Sequence, residues 1–340
     1  ALEANVNQNK IDESYELANI KQSKVHYEAN EAVFSFTKEG KNAIDVIFRV
    51  SSNNAAFKYK VYQQKESNSC VVQVEASGFL LPEGTTTFLC PQSESMVGFA
   101  RTMPSYETSY TVDAPMGKNG SGDGYTFPCL FKVNNNGWVL ISETGVDGGY
   151  CGSRLIGNDK GLYTIGFPME GENNGNGTST PGIALPGETP WRIITVGETL
   201  APIVETTIPF DLVKPKYEAS QQYQYTKGSW SWIIKMDNNT TFPVQKQYID
   251  FSNAMGYKTI LVDALWDTQI GKDKIVELAK YGASKGVGLY LWYNSNGYWN
   301  DAPQGPRGMM DNSIIRRKEM SWMKSIGVKG SKVDFFGGDK

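Results

Sequence analysis

Apolar and polar residues alternate in short runs through residues 1–210, and polar or glycine-rich segments separate these runs. A period of two is typical of β-strands that bury one face. Between two of the runs, residues 134–137 (Asn-Asn-Asn-Gly) predict a hairpin turn. No helical period interrupts the pattern, so residues 1–210 are predicted to form a β-sandwich domain. The predicted strands are residues 32–36, 44–50, 56–61, 71–74, 130–133, 138–143 and 192–197.

The pattern changes at residue 230, where continuously hydrophobic runs begin to alternate with amphipathic runs of helical period. Strands that are apolar on both faces are typical of a parallel sheet covered by helices. Their starts recur at roughly 30 residues, the length of a βαβ unit. No glycine-rich phosphate-binding sequence follows the first strand, which argues against a nucleotide-binding fold. The predicted strands are residues 230–234, 259–266, 287–293 and a run that ends at 334, and the predicted helices are residues 244–255, 274–283 and 313–326.

Residues 211–229 are polar, lack a period and are predicted to link the two domains. Four strand–helix units in residues 230–340 fit either a doubly wound sheet or the first half of a (β/α)₈ barrel. A complete barrel needs about 250 residues, more than twice the length of this segment. We therefore expect the chain to be incomplete and to contain the first four units of a barrel.

Composition and charge narrow the classes of function. A formal net charge of −3 argues against binding to a nucleic-acid backbone, and no apolar run reaches the length of a membrane span. The single histidine, His26, excludes a histidine-based metal centre and argues against a Ser-His-Asp triad. Carboxylate chemistry is the remaining expectation. The four cysteines could form disulfides or remain buried thiols, and both interpretations stay open.

The last predicted strand contains a lysine and an aspartate two residues apart, Lys332 and Asp334. Residues at i and i+2 share one face of a strand, so the ammonium would favour the charged form of the carboxylate. Folds of this kind keep their catalytic groups at the carboxyl ends of the strands. Asp334 is therefore a candidate catalytic group, and the structural alternative is a buried ion pair inside the barrel.

Asp263 and Trp266 lie at the end of the second predicted strand, and Trp292 and Asn294 lie at the end of the third. In a parallel sheet these strand ends meet at one edge, so we expect the four side chains near Asp334. The alternatives are local. Asp263 could cap the following helix, and either tryptophan could belong to the core.

The chain resembles glycoside hydrolase family 97 in four strand-end sequences and two upstream segments. They are Trp230-Ser231-Trp232, Asp263-Ala264-Leu265-Trp266, Trp292-Tyr293-Asn294, Lys332-Val333-Asp334-Phe335, residues 25–31 and residues 189–192. The resemblance covers nearly the whole chain. It implies an N-terminal β-super-sandwich, a catalytic (β/α)₈ barrel and a small C-terminal β-domain. On this basis we expect the chain to begin inside the sandwich and to end about halfway round the barrel.

The family comprises calcium-dependent α-glucosidases and α-galactosidases. Its retaining branch shares Lys-x-Asp at the fourth strand with the α-galactosidases of families 27 and 36, in which the aspartate is the nucleophile. The resemblance therefore implies a retaining, exo-acting α-galactosidase that cleaves an oligosaccharide through a covalent intermediate. The alternatives are an α-glucosidase of the same family and a non-catalytic carbohydrate-binding protein. The implied nucleophile is Asp334, and the implied sugar-binding residues are Lys332, Asp263, Trp266, Trp292 and Asn294.

The resemblance also implies a Ca²⁺ ion bound by several glutamates, one of them from the N-terminal domain. Glu143 occupies the matching segment, and a carboxylate is a ligand that this hard cation prefers. The structural alternative for Glu143 is a surface charge at the edge of a hairpin. The acid/base glutamate is expected beyond residue 340, and a periplasmic or otherwise extracytoplasmic location is expected.

Overall fold

The computed structural model describes residues 3–18, 20–117, 124–158, 160–295 and 298–340. Its N-terminal part is almost entirely antiparallel β-structure, as the alternating pattern predicts. The strands are β1 Glu3–Glu16, β2 Lys24–Lys38, β3 Lys41–Val50, β4 Asn54–Val61, β5 Ser69–Val71, β6 Gly78–Leu80, β7 Thr86–Pro91, β8 Ala114–Pro115, β9 Tyr125–Val133, β10 Gly137–Thr144, β11 Arg154–Gly157, β12 Leu162–Gly166, β13 Gly182–Ala184, β14 Gly187–Glu188 and β15 Trp191–Gly197.

Six of the seven predicted N-terminal strands lie within observed strands, namely β2, β3, β4, β9, β10 and β15. The predicted hairpin is confirmed, because Val133 of β9 pairs with Gly137 of β10. The prediction at residues 71–74 is wrong beyond Val71. Val72 and Val74 lie outside a strand, and 76% of Val74 is exposed.

Most of the described strands form one sheet in the order β1-β2-β3-β4-β15-β10-β9-β11-β12-β6. This sheet folds over on itself. Phe57 of β4 lies 6.1 Å from Phe79 of β6, ring centroid to ring centroid, although five strands separate β4 from β6 in the hydrogen-bonded order. The enclosed core includes Phe131, Ile141 and Leu155, each at most 1% exposed. The N-terminal domain is therefore a β-sandwich.

Two short helices follow β15, α1 Ala201–Glu205 and α2 Ile208–Leu212. The prediction of an all-β segment up to residue 210 is wrong at this end. Each helix has a proline in its first turn, where the missing N–H has no intrahelical acceptor to lose. Ile208 and Leu212 are buried beside Trp191 of β15, so the second helix covers part of the sandwich core.

The C-terminal part is a parallel sheet of four strands with helices between them, as far as the structure describes the chain. The strands, in order across the sheet, are β16 Gly228–Trp230, β17 Thr259–Val262, β18 Gly288–Asn294 and β19 Gly330–Asp334. The helices are α3 Trp232–Lys235, α4 Phe242–Ala254, α5 Trp266–Gln269, α6 Lys272–Ser284 and α7 Ser313–Ser325. The four predicted parallel strands and the three predicted helices between them are therefore present, and closure into a barrel remains an expectation.

Two predicted strands are too long. The strand predicted at residues 230–234 ends at Trp230, and residues 232–235 are helical. Ile233 and Ile234 are 61% and 76% exposed, so their apolar side chains do not lie in a sheet core. The second strand ends at Val262, and Leu265 has a left-handed backbone (φ 67°) that turns the chain into α5.

The core of this parallel sheet contains Val262, Leu278 and Leu291, which have no exposed surface.

None of the helices that the structure describes is both long and apolar enough to cross a membrane. The four cysteines are free thiols in this structure, with Cys129 and Cys151 buried and Cys70 and Cys90 partly exposed.

Candidate active site

Lys332 lies between two carboxylates at the carboxyl ends of the parallel strands. Its Nζ is 3.1 Å from Oδ2 of Asp334 and 3.7 Å from Oδ2 of Asp263. The same ammonium lies over the ring of Trp230, 4.4 Å from its centroid. These residues come from β19, the turn after β17 and the end of β16, so the parallel sheet brings three strand ends together as predicted.

Asp334 accepts hydrogen bonds on both carboxylate oxygens. Trp292 donates its Nε1–H to Oδ2 over 3.2 Å, and the backbone N–H of Phe335 donates to Oδ1 over 2.9 Å. The side chain is nevertheless 36% exposed. Three donors, counting Lys332, fix the orientation of the carboxylate while one side stays open. This is the environment that a nucleophilic carboxylate needs.

Asp263 is almost completely buried, with 5% of its side chain exposed. Burial raises the pKa of this carboxyl, while the N–H of Ala264, the ammonium of Lys332 and the indole N–H of Trp230 pull the pKa back down. Trp230 donates to Oδ2 over 2.6 Å. The sequence pointed to Asp263 but not to this partner, although Trp230 lies at the end of a strand in the same cluster.

Trp292 and Trp266 have different places in the structure. Trp292 is 1% exposed and contacts the site through its N–H on Asp334. Trp266 is also 1% exposed, donates its Nε1–H to the backbone oxygen of Trp292 and stacks on Trp322 at 6.0 Å. The ring of Trp266 lies in the core cluster, so it has almost no surface to offer a sugar and supports Trp292 from below the strand end.

Asn294 pairs with Asp334 in the register of β18 and β19, but its side chain is fully buried. It accepts from Nδ2 of Asn300 over 3.1 Å and donates to the backbone oxygen of Gln304 over 3.2 Å. Asn300 in turn donates to the backbone oxygen of Phe335 over 2.6 Å. Asn294 therefore holds the segment beside the strand end, one residue beyond Asp334.

Glu143 lies on β10 in an ion-pair network of the sandwich. Its Oε2 accepts from Nη1 of Arg192 and from Oγ of Ser153, and its Oε1 accepts from the backbone N–H of Ser153 over 3.2 Å. Glu75 binds the other side of Arg192, with Nη2 2.6 Å from its Oε2. Burial raises the pKa of Glu143, and Arg192 opposes that shift.

Glu143 by itself does not complete a calcium site. Calcium takes six to eight oxygen ligands, whereas both oxygens of Glu143 are already bound to a guanidinium and a serine. A group of three possible metal ligands among the described residues lies elsewhere, on β1 and β2, and consists of Asp12, His26 and Glu28. It is exposed and includes a nitrogen ligand, which suits calcium poorly.

A second network joins the sandwich to the strand end that holds Asp334. Arg154 and Glu172, both without exposed side-chain surface, are 2.5 Å apart from Nη2 to Oε1. The backbone N–H of Asp339 donates to Oε2 of Glu172 over 2.8 Å, and Oδ2 of Asp339 lies 3.7 Å from Arg154. The segment that follows β19 is therefore anchored on the β-domain. Sequence reasoning missed this network because its members lie far apart along the chain.

The site thus has a lysine between two carboxylates at parallel strand ends, and one of these carboxylates is partly open and held by three donors. Sequence profiles of two domains match the chain. "Glycosyl-hydrolase 97 N-terminal" matches residues 3–215, and "Glycoside hydrolase 97" matches residues 222–340. The chain belongs to glycoside hydrolase family 97.

Two curated proteins are similar to parts of the chain. A probable retaining alpha-galactosidase of Streptomyces bingchenggensis is 26% identical over 341 aligned residues, which cover 96% of this chain and 47% of that protein. A retaining alpha-galactosidase of Bacteroides thetaiotaomicron is 28% identical over 170 residues, which cover 45% of this chain and 24% of that protein. The aligned segments thus cover about half of the first relative and about a quarter of the second.

Two solved structures are similar to the whole chain. The crystal structure of a beta-arabinopyranosidase has a TM-score of 0.95 and 54% identity, and the match covers 100% of this chain and 55% of that one. A family 97 enzyme from Pseudoalteromonas sp. strain K8 in complex with acarbose has a TM-score of 0.77 and 17% identity, covering 99% of this chain and 52% of that one. The second match shows a shared fold.

Proposed function

We propose that this chain belongs to a retaining, exo-acting glycosidase for which Asp334 is the nucleophile and the sugar carries the ring hydroxyl pattern of galactose. The observation that supports it is the ammonium of Lys332, placed 3.1 Å from Asp334 and 3.7 Å from Asp263. A cation in this position can pair with the carboxylate of Asp334 and donate to a sugar hydroxyl. Asp263 can accept from a neighbouring hydroxyl.

In the proposed reaction, an oxygen of Asp334 attacks the anomeric carbon as the bond to the leaving oxygen breaks and that oxygen takes a proton. Water then attacks the same carbon and gives a proton back to the group that protonated the leaving oxygen, and the Asp334 carboxylate leaves with its electron pair. The donors on Asp334 assist this second departure, because Trp292 and Phe335 stabilise the carboxylate that re-forms. No residue of this chain is assigned as the acid that protonates the leaving group.

The sugar that we propose first is a β-L-arabinopyranoside. An arabinopyranose of the L series in the β form has the ring hydroxyls and anomeric configuration of α-D-galactopyranose and lacks only the hydroxymethyl group at C5. One glycone site can therefore bind both. The arabinopyranosidase match, at 54% identity over the whole chain, favours the smaller sugar. The two relatives named alpha-galactosidase, at 26% and 28% identity, favour α-D-galactosides as the second candidate.

Hydrolysis of three nitrophenyl glycosides by the whole protein tests the choice. We expect kcat/KM for β-L-arabinopyranoside to exceed that for α-D-galactopyranoside, and α-D-glucopyranoside to be the poorest substrate. A preference for galactoside would move the assignment to the second candidate, and a preference for glucoside would reject both. Binding of sugar without turnover of any glycoside would support a non-catalytic carbohydrate-binding protein.

The anomer released first tests the mechanism separately. Proton NMR should show that the first free sugar keeps the configuration of the substrate, and the opposite anomer would mean inversion. Asp334→Asn should lower kcat by at least about 10³-fold, since it removes the nucleophile. Asp334→Gly in the presence of azide should form a glycosyl azide of opposite configuration. Hydrolysis that survives both substitutions in the absence of azide would reject Asp334 as the nucleophile.

Calcium dependence and an extracytoplasmic location are further proposals, supported by the family resemblance alone. A calcium site would need ligands besides Glu143, so no step of the reaction is assigned to the ion. Dialysis against EDTA followed by addition of Ca²⁺ tests the first proposal. Fractionation of the source cells tests the second.

A further inference from the structure

Four aromatic rings form a continuous row that starts at the nucleophile and ends on the β-domain. Trp292, whose N–H contacts Asp334, lies 5.4 Å from Phe335, centroid to centroid. Phe335 lies 5.6 Å from Phe99, and Phe99 lies 5.5 Å from Tyr106. The first two rings belong to the parallel sheet and the last two to a loop between β7 and β8, so the row crosses between the domains.

The loop that holds Phe99 is fixed by polar contacts with both domains. Arg101 Nη1 lies 3.3 Å from Oδ2 of Asp301, and its Nη2 donates to Oδ1 of Asn174 over 3.1 Å. The backbone N–H of Asp301 donates to the oxygen of Ala100 over 2.7 Å. Phe99 is therefore held beside the strand end from both sides.

The backbone on both sides of this aromatic contact is strained. Met96, Ala100 and Arg101 have φ angles of 59°, 48° and 57°, and Phe335 has a φ of 61°. Residues with a Cβ adopt this left-handed conformation only at an energetic cost, which persists where surrounding contacts over-determine the backbone. Strain of this kind concentrates at ligand-binding segments, and here it places Phe99 against Phe335.

The outer end of the row is open while its inner end is buried. Phe99 is 46% exposed and Tyr106 is 38% exposed, whereas Trp292 is 1% exposed. A single exposed aromatic side chain is ordinary on a protein surface. A ring that contacts Phe335, the residue after Asp334, is a different arrangement, because it offers an apolar face on the β-domain side of the strand end.

We propose that Phe99, with Tyr106 behind it, is the platform on which the leaving-group sugar of the substrate stacks. The proposal rests on the proposed function, because it takes Asp334 as the group that attacks the anomeric carbon. The C–H face of a pyranose ring matches an open aromatic face, and Asp301 and Arg101 beside the platform can pair with its hydroxyls. The β-domain then determines which aglycones the enzyme accepts.

The test compares two substrates that share the preferred glycone and differ in the leaving group. One is the glycosyl fluoride, β-L-arabinopyranosyl or α-D-galactopyranosyl, whose leaving group has no surface to stack. The other is a disaccharide with the same non-reducing sugar. In the whole protein, Phe99→Ala should lower kcat/KM for the disaccharide about 5- to 30-fold and leave that for the fluoride within about 2-fold. The matched control is Tyr223→Ala, which removes an aromatic ring that is 62% exposed outside the row.

Several outcomes separate this proposal from the proposed function. Equal losses on both substrates, or an unchanged value for the disaccharide, would overturn the platform. If the wild type cleaves neither substrate, the proposed function fails, and binding decides the platform instead. In that case, calorimetry on Asp334→Asn protein should show that Phe99→Ala weakens the disaccharide and spares the free monosaccharide. Equal affinity for the disaccharide in Asp334→Asn protein with and without Phe99→Ala would overturn the platform.

Discussion

Lys332 and Asp334 lie two residues apart on β19, with Nζ of the lysine 3.1 Å from Oδ2 of the aspartate. The same ammonium also lies 3.7 Å from Oδ2 of Asp263. Asp263 follows β17, which is separated from β19 by β18 in the sheet. One cation therefore serves a carboxylate that is partly open and one that is almost buried. This arrangement holds Asp334, the proposed nucleophile, in place and leaves its side chain partly exposed.

Removal of that cation should affect activity far more than stability. We expect Lys332→Met to lower kcat/KM by about 10²–10³-fold, since the variant loses an electrostatic contact to the reacting carboxylate. The matched control is Lys272→Met. Lys272 likewise binds a buried carboxylate, that of Glu319 at 2.6 Å, and lies over an indole ring, that of Trp322 at 4.3 Å. Steady-state kinetics should show a small effect for the control, and similar losses for both variants would contradict the role of Lys332.

The raised pKa of Asp263 predicts a pH-dependent gain in stability for Asp263→Asn. Burial raises the pKa of Asp263 in the folded protein above its value in the unfolded chain, which is about 4. At a pH between these two pKa values, the folded state therefore binds more protons than the unfolded state. The free energy of unfolding of the wild type therefore falls as pH rises through this interval. The amide variant lacks that loss, so its stability relative to the wild type should increase from about pH 4 upward. Urea unfolding across pH 3–7 measures the difference, and a flat or decreasing difference would contradict the prediction.

The sequence pattern predicted the interior strands well because their burial alternates or is complete. The long first strand, Glu3–Glu16, was missed, since its apolar residues are widely spaced and its stability comes from pairing with β2 along its whole length. The prediction at β16 was too long because Ile233 and Ile234 are adjacent apolar residues, although they belong to a helix. A short apolar run does not by itself distinguish a strand from an exposed helix.

The sequence predicted correctly which strand ends lie together, but it did not predict the orientation of every side chain there. Lys332, Asp334 and Asp263 meet as expected. Trp266 follows a strand end equally closely, yet its ring turns into the core, because the left-handed Leu265 starts a helix there. Local backbone geometry of this kind depends on contacts that are distant in sequence, which the pattern does not show.

Loss of Glu172 should unfold the junction between the domains. Glu172→Ala leaves the guanidinium of Arg154 buried without its partner, which we expect to cost about 3–5 kcal/mol of unfolding free energy. The control is Glu277→Ala, which breaks an exposed pair with Lys274 and should cost about 0.5 kcal/mol or less. Chemical denaturation measures both. A cost for Glu172→Ala close to that of the control would mean that another group compensates Arg154.

Glu143 allows the ion pair and the calcium proposal to be separated. In protein dialysed against EDTA, Glu143→Gln should lower the free energy of unfolding by about 1.5–3 kcal/mol, because Arg192 loses a charged hydrogen-bond partner whatever metal is present. If Glu143 also binds calcium, the wild type should lose activity on EDTA treatment and regain it with Ca²⁺, and the variant should need more Ca²⁺ for the same recovery. An identical Ca²⁺ requirement in both proteins would limit Glu143 to the ion pair. An unchanged stability of the variant would instead contradict the contact with Arg192.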